Sequence, residues 1–194
     1  MNGRASSASP KTLQIIEAAL TILRDEGERG LSMRGVAGRV GVSLSNVQYY
    51  FRGKDALIRA VVDHYVAQCS RELADATART TERPLADRRR TLLRDTLRHG
   101  HEMTDMCRIF RELWSVAGRD ASVEAALDAY YRQTAETLAA ALLAPDAPDA
   151  LKERVVLLVL PYVEGYSVTG RALAQGPDAA VDLLLSLLED LAPA

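Results

Sequence analysis

Residues Gly41 to Leu57 read GVSLSNVQYYFRGKDAL, the pattern of two helices meeting at a tight turn. Gly41 makes the turn, and Ser43 stands where a short third helix needs its N-cap. Gly53 closes that helix, and Lys54-Asp55 open a long fourth one ahead of Leu57, Ile58, Val61, Val62 and Tyr65. The short helix is crowded with Ser, Asn, Gln and Tyr, whereas ordinary solvated helices are rich in Glu and Lys. Short uncharged side chains are what a helix needs to reach base edges in a DNA groove. The stretch points to a helix-turn-helix.

Upstream, Ser9-Pro10 starts a first helix with proline in the turn where its missing N–H costs nothing. Leu13, Ile16, Leu20 and Leu23 share one face of it, and Gly27 stops it. Ser32 can cap a second helix that turns Val36, Ala37 and Val40 inward, as Val47 and Tyr50 do in the third. The outer surface then carries the chemistry. Asn46 and Gln48 can each make the paired hydrogen bonds that adenine presents at N6 and N7. Ser45 can meet a base or a phosphate, and Leu44 a thymine methyl. Tyr49 is better placed for a phosphate, with its ring against the sugar. Arg34, in the first turn of the second helix, can reach a guanine or the backbone. Lys54 sits where its charge and the free N–H groups of a helix start together suit a phosphate.

The charge distribution agrees. The whole chain carries a net −2, but residues 1–55 hold eight Lys and Arg against five Asp and Glu, a net of +3. The remainder is −5, an asymmetry expected when only one end meets phosphate. The two cysteines, Cys69 and Cys107, have neither zinc-site nor disulfide spacing. No apolar run approaches the roughly 20 residues needed to cross a bilayer, and the first residues lack a signal peptide's apolar segment. A cytoplasmic, nucleoid-associated protein without membrane contact or cofactor is expected.

The run GLSMRGVAGRVGVSLSNVQYYFRGKDAL, Gly30 to Leu57, resembles the DNA-binding domain of the TetR family of transcriptional regulators. The resemblance covers roughly residues 11–65 and rests on the apolar first helix, Gly27, the GVS turn, Tyr49-Tyr50-Phe51, and Lys54 followed by Leu57. It implies that Ser32 and Arg34 approach DNA from the second helix. It further implies that Leu44, Ser45, Asn46, Gln48 and Tyr49 face the groove, with Ser43, Tyr50 and Lys54 completing the DNA-binding set near the backbone. Gln48 stands where a tyrosine is frequent in the family, and Tyr50 where a histidine is frequent; both leave the operator sequence open.

The rest of the chain reads as further helices near 86–103, 106–118, 121–143, 149–175 and 177–191, with Pro161 expected to kink or break the eighth. The expected architecture is all-α with about nine helices. A disordered tail covers 1–10, the helix-turn-helix domain 11–56, and an effector-binding and dimerisation domain 57–194. The ninth helix is apolar on two sides: Val181, Leu184, Leu185 and Leu188 form one stripe, Leu183 and Leu187 a second. Val155, Leu158, Val159 and Tyr162 show the same excess in the eighth. The resemblance implies a homodimer through these last two helices, reading a palindromic double-stranded operator. A merely buried pair of helices would look similar.

His99, Met103, Cys107, Phe110, Trp114, Tyr130, Tyr131, Tyr162 and Tyr166 concentrate aromatic and soft side chains between these ends, in a chain with only 5% aromatic residues. Such types suit an apolar pocket for an unidentified small-molecule effector, and equally a packed core with tyrosine hydroxyls reaching solvent. The Arg88-Arg89-Arg90 run suits an anion or a solvated face. Enzymes are disfavoured. His99 and His101, two apart on a helix, point about 200° from each other and cannot share a metal, and no nucleotide or nucleophile motif occurs. The expectation is a ligand-responsive regulator, most simply a repressor. The rival is an architectural or partner-binding DNA protein that senses no ligand.

Overall fold

The computed structural model describes residues 9–102 and 105–191. Among them the regular elements are all helical: α1 (Pro10–Gly30), α2 (Met33–Val40), α3 (Leu44–Tyr50), α4 (Lys54–Ala78), α5 (Leu85–His101), α6 (Asp105–Ala117), α7 (Ala121–Leu142), α8 (Asp149–Thr169) and α9 (Pro177–Leu191), with one 3-10 turn, Gly170–Ala172, after α8. Of the expected disordered tail, residues 1–8 lie outside the described residues. Pro10 is already helical, and the Ser9 hydroxyl accepts from Thr12 N–H at 3.2 Å.

The chain forms two compact units. The first holds the described residues up to Val66 together with Arg108–Leu127; the second holds Ala67–Cys107 and the chain from Asp128 onward. Helices α4, α6 and α7 each pass from one unit into the other. The first unit therefore contains more than a reading head, because most of α6 and the start of α7 belong to it.

In the first unit α1 packs on α2 and α2 on α3. Its buried side chains include Ile15, Ile16, Leu20, Leu23, Val36, Val47, Leu57 and Val61. α1 does not simply end at Gly27. The residue breaks the helix with φ 73° and ψ −179°, after which the chain makes one more turn to Gly30. That conformation is open almost only to glycine.

In the second unit α5 lies against both α8 and α9. Their shared core is Leu92, Leu93 and Leu97 from α5, Val155, Val159 and Tyr166 from α8, and Val181, Leu184, Leu185 and Leu188 from α9, with the end of α7. The Arg88–Arg90 run divides: Arg88 and Arg89 turn to the chain's own carbonyls, and Arg90 lies on the solvated face. Arg88 donates to the Ala141 carbonyl at 2.8 Å, Arg89 to the Leu142 carbonyl at 2.6 Å, and Arg90 pairs with Asp182 at 2.8 Å. Two guanidinium groups thus satisfy the open carbonyls at the C-terminus of α7, where positive charge is favoured. α8 continues through Pro161, and Leu157, four residues earlier, is exposed. The helix stops at Thr169, short of the expected 175, and tightens into the 3-10 turn.

Candidate nucleic-acid interface and effector region

The turn is built as its sequence demands. Gly41 adopts φ 71°, ψ 36°, a left-handed conformation that terminates α2 without the penalty a Cβ would bring. The Ser43 hydroxyl accepts from Asn46 N–H at 3.2 Å and lies 2.9 Å from the Ser45 hydroxyl. Ser32 caps α2 in the same way, accepting from Gly35 N–H at 3.0 Å. Val47 is fully buried and Phe51 nearly so, which pins α3 and turns its opposite side outward. On that side Ser45, Asn46, Gln48 and Tyr49 are exposed, Tyr49 at 83%; Leu44 and Tyr50 are half-buried, and Arg34 is exposed on α2. The Tyr49 and Tyr50 rings meet edge-on at 5.2 Å.

Lys54 has a partner that its position in the sequence did not announce. Its Nζ lies 2.7 Å from Glu28 Oε1 and donates to the Glu28 carbonyl at 3.1 Å, so its charge is paired within the chain while its side chain stays partly exposed. Glu28 is the centre of a network. Its other carboxylate oxygen takes Arg119 at 2.6 Å, and its backbone N–H donates to the Glu112 carboxylate at 2.7 Å. The Lys54 hydrogen bond and charge, with Arg119, hold the Glu28 carboxyl below its ordinary range against an opposing burial effect. The first unit thereby ties the end of α1 and the start of α4 to α6 and the turn after it.

The expected effector residues divide between the units. Phe110 and Trp114 belong to the first, where Phe110 packs on Tyr65 at 5.7 Å and Trp114 is 46% exposed. The second holds His99, Cys107, Tyr130, Tyr131, Tyr162 and Tyr166; Met103 lies outside the described residues. His99 is exposed and sits 3.1 Å from the Asp95 carbonyl, with Cys107 Sγ 3.9 Å from its own. Tyr130 and Tyr131 meet edge-on at 5.2 Å, and burial raises the Tyr130 hydroxyl. Tyr162 lies nearly parallel to Tyr166 at 6.2 Å, and His101 stacks on Tyr166 at 6.3 Å. His101 joins this stack from α5, a contact that its sequence spacing to His99 does not announce.

The residues assigned to a dimer interface are mostly inside the chain. Val155, Val159, Val181, Leu184, Leu185 and Leu188 are buried in the second unit's core, and Leu158 and Tyr162 pack against it. The six buried ones are enclosed by their own chain and are not free to meet a second copy, whereas Leu158 and Tyr162 stay half-buried and keep some open surface. Within these two helices the large apolar side chains left exposed are Leu157 and Val168 on α8 and Leu183 and Leu187 on α9.

An α3 so capped and so faced, carried on a buried three-helix scaffold, defines a helix-turn-helix DNA-binding regulator. Residues 15–61 match the family described as bacterial regulatory proteins, tetR family. Over 191 residues the chain is 42% identical to an uncharacterized HTH-type transcriptional regulator in the dhlA 5′ region of Xanthobacter autotrophicus, covering 96% of this chain and 92% of that one. It is 28% identical to the HTH-type transcriptional regulator BetI of Burkholderia ambifaria, over 84% of this chain and 83% of BetI. In fold it resembles a TetR-family regulator from Mesorhizobium loti (TM-score 0.74, 18% identity, 96% and 98% of the two chains). It also resembles EbrR, a multidrug binding protein in complex with malachite green (TM-score 0.64, 20% identity, 95% and 99%). The chain belongs to the TetR family of transcriptional regulators. Among the described residues no helix is long and apolar enough to cross a membrane.

Proposed function

We propose that this protein is a ligand-responsive repressor that binds a palindromic operator as a homodimer and leaves it when a small molecule occupies the second unit. The observation that carries the reading is the α3 face: capped by Ser43, anchored by Val47, and presenting Ser45, Asn46, Gln48 and Tyr49 uncharged to the exterior. Two such faces related by a two-fold axis read successive major grooves about one helical turn apart. Arg34 and Tyr49 hold the backbone while Asn46 and Gln48 read bases.

Dimerisation uses Leu157 and Val168 on α8 with Leu183 and Leu187 on α9, the large apolar side chains that these two helices leave exposed. The effector binds among the aromatic side chains of the second unit. The family's fold accommodates such molecules, as EbrR does malachite green. Release follows from population shift: a ligand that prefers a conformation unfavourable for DNA must lower DNA affinity. A coupling of roughly 2–3 kcal/mol is enough, since about 1.4 kcal/mol is tenfold. The protein does no chemistry of its own and works in the cytoplasm on the nucleoid.

Selection of bound DNA from a random-sequence pool by the purified full chain, at defined salt, tests the reading. A palindromic consensus is the expected result. Recovery of unrelated sequences would favour an architectural DNA protein and overturn sequence-specific regulation.

A further inference from the structure

Within the second unit, the Tyr166 hydroxyl and His101 Nδ1 are both buried, and neither has a hydrogen-bond partner among the described residues. Tyr166 is only 4% exposed and belongs to the leucine and valine core of α5, α8 and α9. Its ring is stacked with two others, Tyr162 at 6.2 Å and His101 at 6.3 Å. The backbone is arranged around this ring. A Cβ at Gly170 would come within 2.7 Å of Tyr166 Cε1 and 2.8 Å of Cζ, so the hydroxyl-bearing end fits only because residue 170 has no side chain. A Cβ at Gly100, beside His101, would meet Ser167 Cα at 3.2 Å, so α5 and α8 approach closely where the stack forms.

Buried polar groups are paired in the great majority of cases, because an unpaired one forfeits its hydration without return. Two neighbouring unpaired groups in one aromatic stack therefore mark a place for a missing partner. We infer that Tyr166 and His101 form the polar subsite of the effector site, and that it takes the hydroxyl of a small, neutral, otherwise apolar or aromatic molecule. The inference deepens the effector reading above and rests on it.

The chemistry of the two groups selects a hydroxyl. A phenol oxygen and an imidazole nitrogen can each donate or accept, depending on rotor and tautomer. A ligand hydroxyl, itself donor and acceptor, can serve either. A carboxylate only accepts, and would be a charge placed beside a core of leucine and valine, where burial of an unpaired charge is heavily penalised. A cation would gain the attraction of the ring faces, which does not offset the cost of burying an unpaired charge beside the same core. The half-buried ring of Tyr162 suits the apolar body of the ligand.

Phenol and toluene test this directly, since they differ by a hydroxyl against a methyl; benzoate is the charged control. Binding of each to the full-length protein is measured by calorimetry or ligand-observed NMR, in wild type and in Tyr166→Phe. The expected result is that phenol binds wild type at least about tenfold tighter than toluene, equivalent to one hydrogen bond's contribution, and that Tyr166→Phe abolishes the difference. The ligand-free variant should also melt no lower than wild type, and higher by about 2–4 °C if the lost hydroxyl was unpaired. No phenol binding, a phenol preference that survives Tyr166→Phe, or benzoate binding more tightly than phenol overturns the inference. So does a lower melting temperature for ligand-free Tyr166→Phe, which would mean that an internal water already satisfies the hydroxyl. If Tyr166→Phe does not fold, His101→Phe keeps the ring and is judged by the same probe ratio. Because the DNA selection does not involve these probes, a palindromic consensus obtained alongside a failed probe experiment removes this subsite and leaves DNA recognition standing.

Discussion

Asn46 and Gln48 stand one helical step on either side of Val47, so the burial that anchors α3 also turns both amides outward. Asn46→Ala or Gln48→Ala should therefore cost about 1–3 kcal/mol against the selected operator. The loss should shrink on operators mutated at the base pair each residue reads; single-base variants titrated at one salt concentration show this, and an equal loss on every sequence would refute base reading. Lys54 behaves differently. Its ammonium is matched by Glu28 at 2.7 Å, so Lys54→Ala should leave the slope of log affinity against log salt unchanged. Because the pair is partly exposed and Arg119 remains on Glu28, the stability loss should be no more than about 1 kcal/mol. A slope flattened by about one would instead put Lys54 on a phosphate.

At the scale of the element, the break in α1 is the most sensitive point of the first unit. Gly27→Ala forces a Cβ into φ 73°, ψ −179° and to within 3.1 Å of the Glu112 carboxylate. A loss of about 1–3 kcal/mol in urea unfolding is expected, whereas an unchanged midpoint would mean that the break can relax into continuous helix. The next residue gives the same junction a pH dependence. Glu28 has a depressed carboxyl in the folded chain and an ordinary value of 4.5, so its contribution is present above 4.5 and fades as pH falls through the lower folded value. Glu28→Gln should weaken the protein at neutral pH and flatten its acid unfolding below about 4.5; identical acid profiles for the two proteins would rule the network out as a source of stability. The Gly41 turn, the Ser32 and Ser43 caps and the uncharged α3 face were legible in the sequence, because each rests on residues within a few positions of one another. The Glu28 network was not. Its partners lie 26 residues away at Lys54, 84 at Glu112 and 91 at Arg119, and no spacing rule joins them. The same distance hid the role of Arg88 and Arg89, which became carbonyl caps only once α7 ended beside them.

Across the whole molecule, the two apolar sides of α9 do different work, and periodicity alone could not assign them. A helix apolar on two sides shows that both are wanted, without showing which meets its own chain. The structure separates them: Val181, Leu184, Leu185 and Leu188 complete the core with α5, while Leu183 at 50% and Leu187 at 36% are exposed. α8 was harder to read, since Val155–Leu160 is an unbroken apolar run in which every face qualifies. Its buried positions are Val155 and Val159, and Leu157 is 75% exposed. A charge at an exposed position should therefore split the proposed dimer without unfolding the chain, while a charge in the core should unfold it. Leu183→Glu combined with Leu157→Glu is expected to sediment as a monomer with unchanged helical circular dichroism and to lose palindromic DNA binding. Leu184→Glu is expected to lose helicity itself, because it leaves an unpaired carboxylate in a core position with no exposure. If the double variant still sediments as a dimer on the selected operator, then the two-fold contact uses another face.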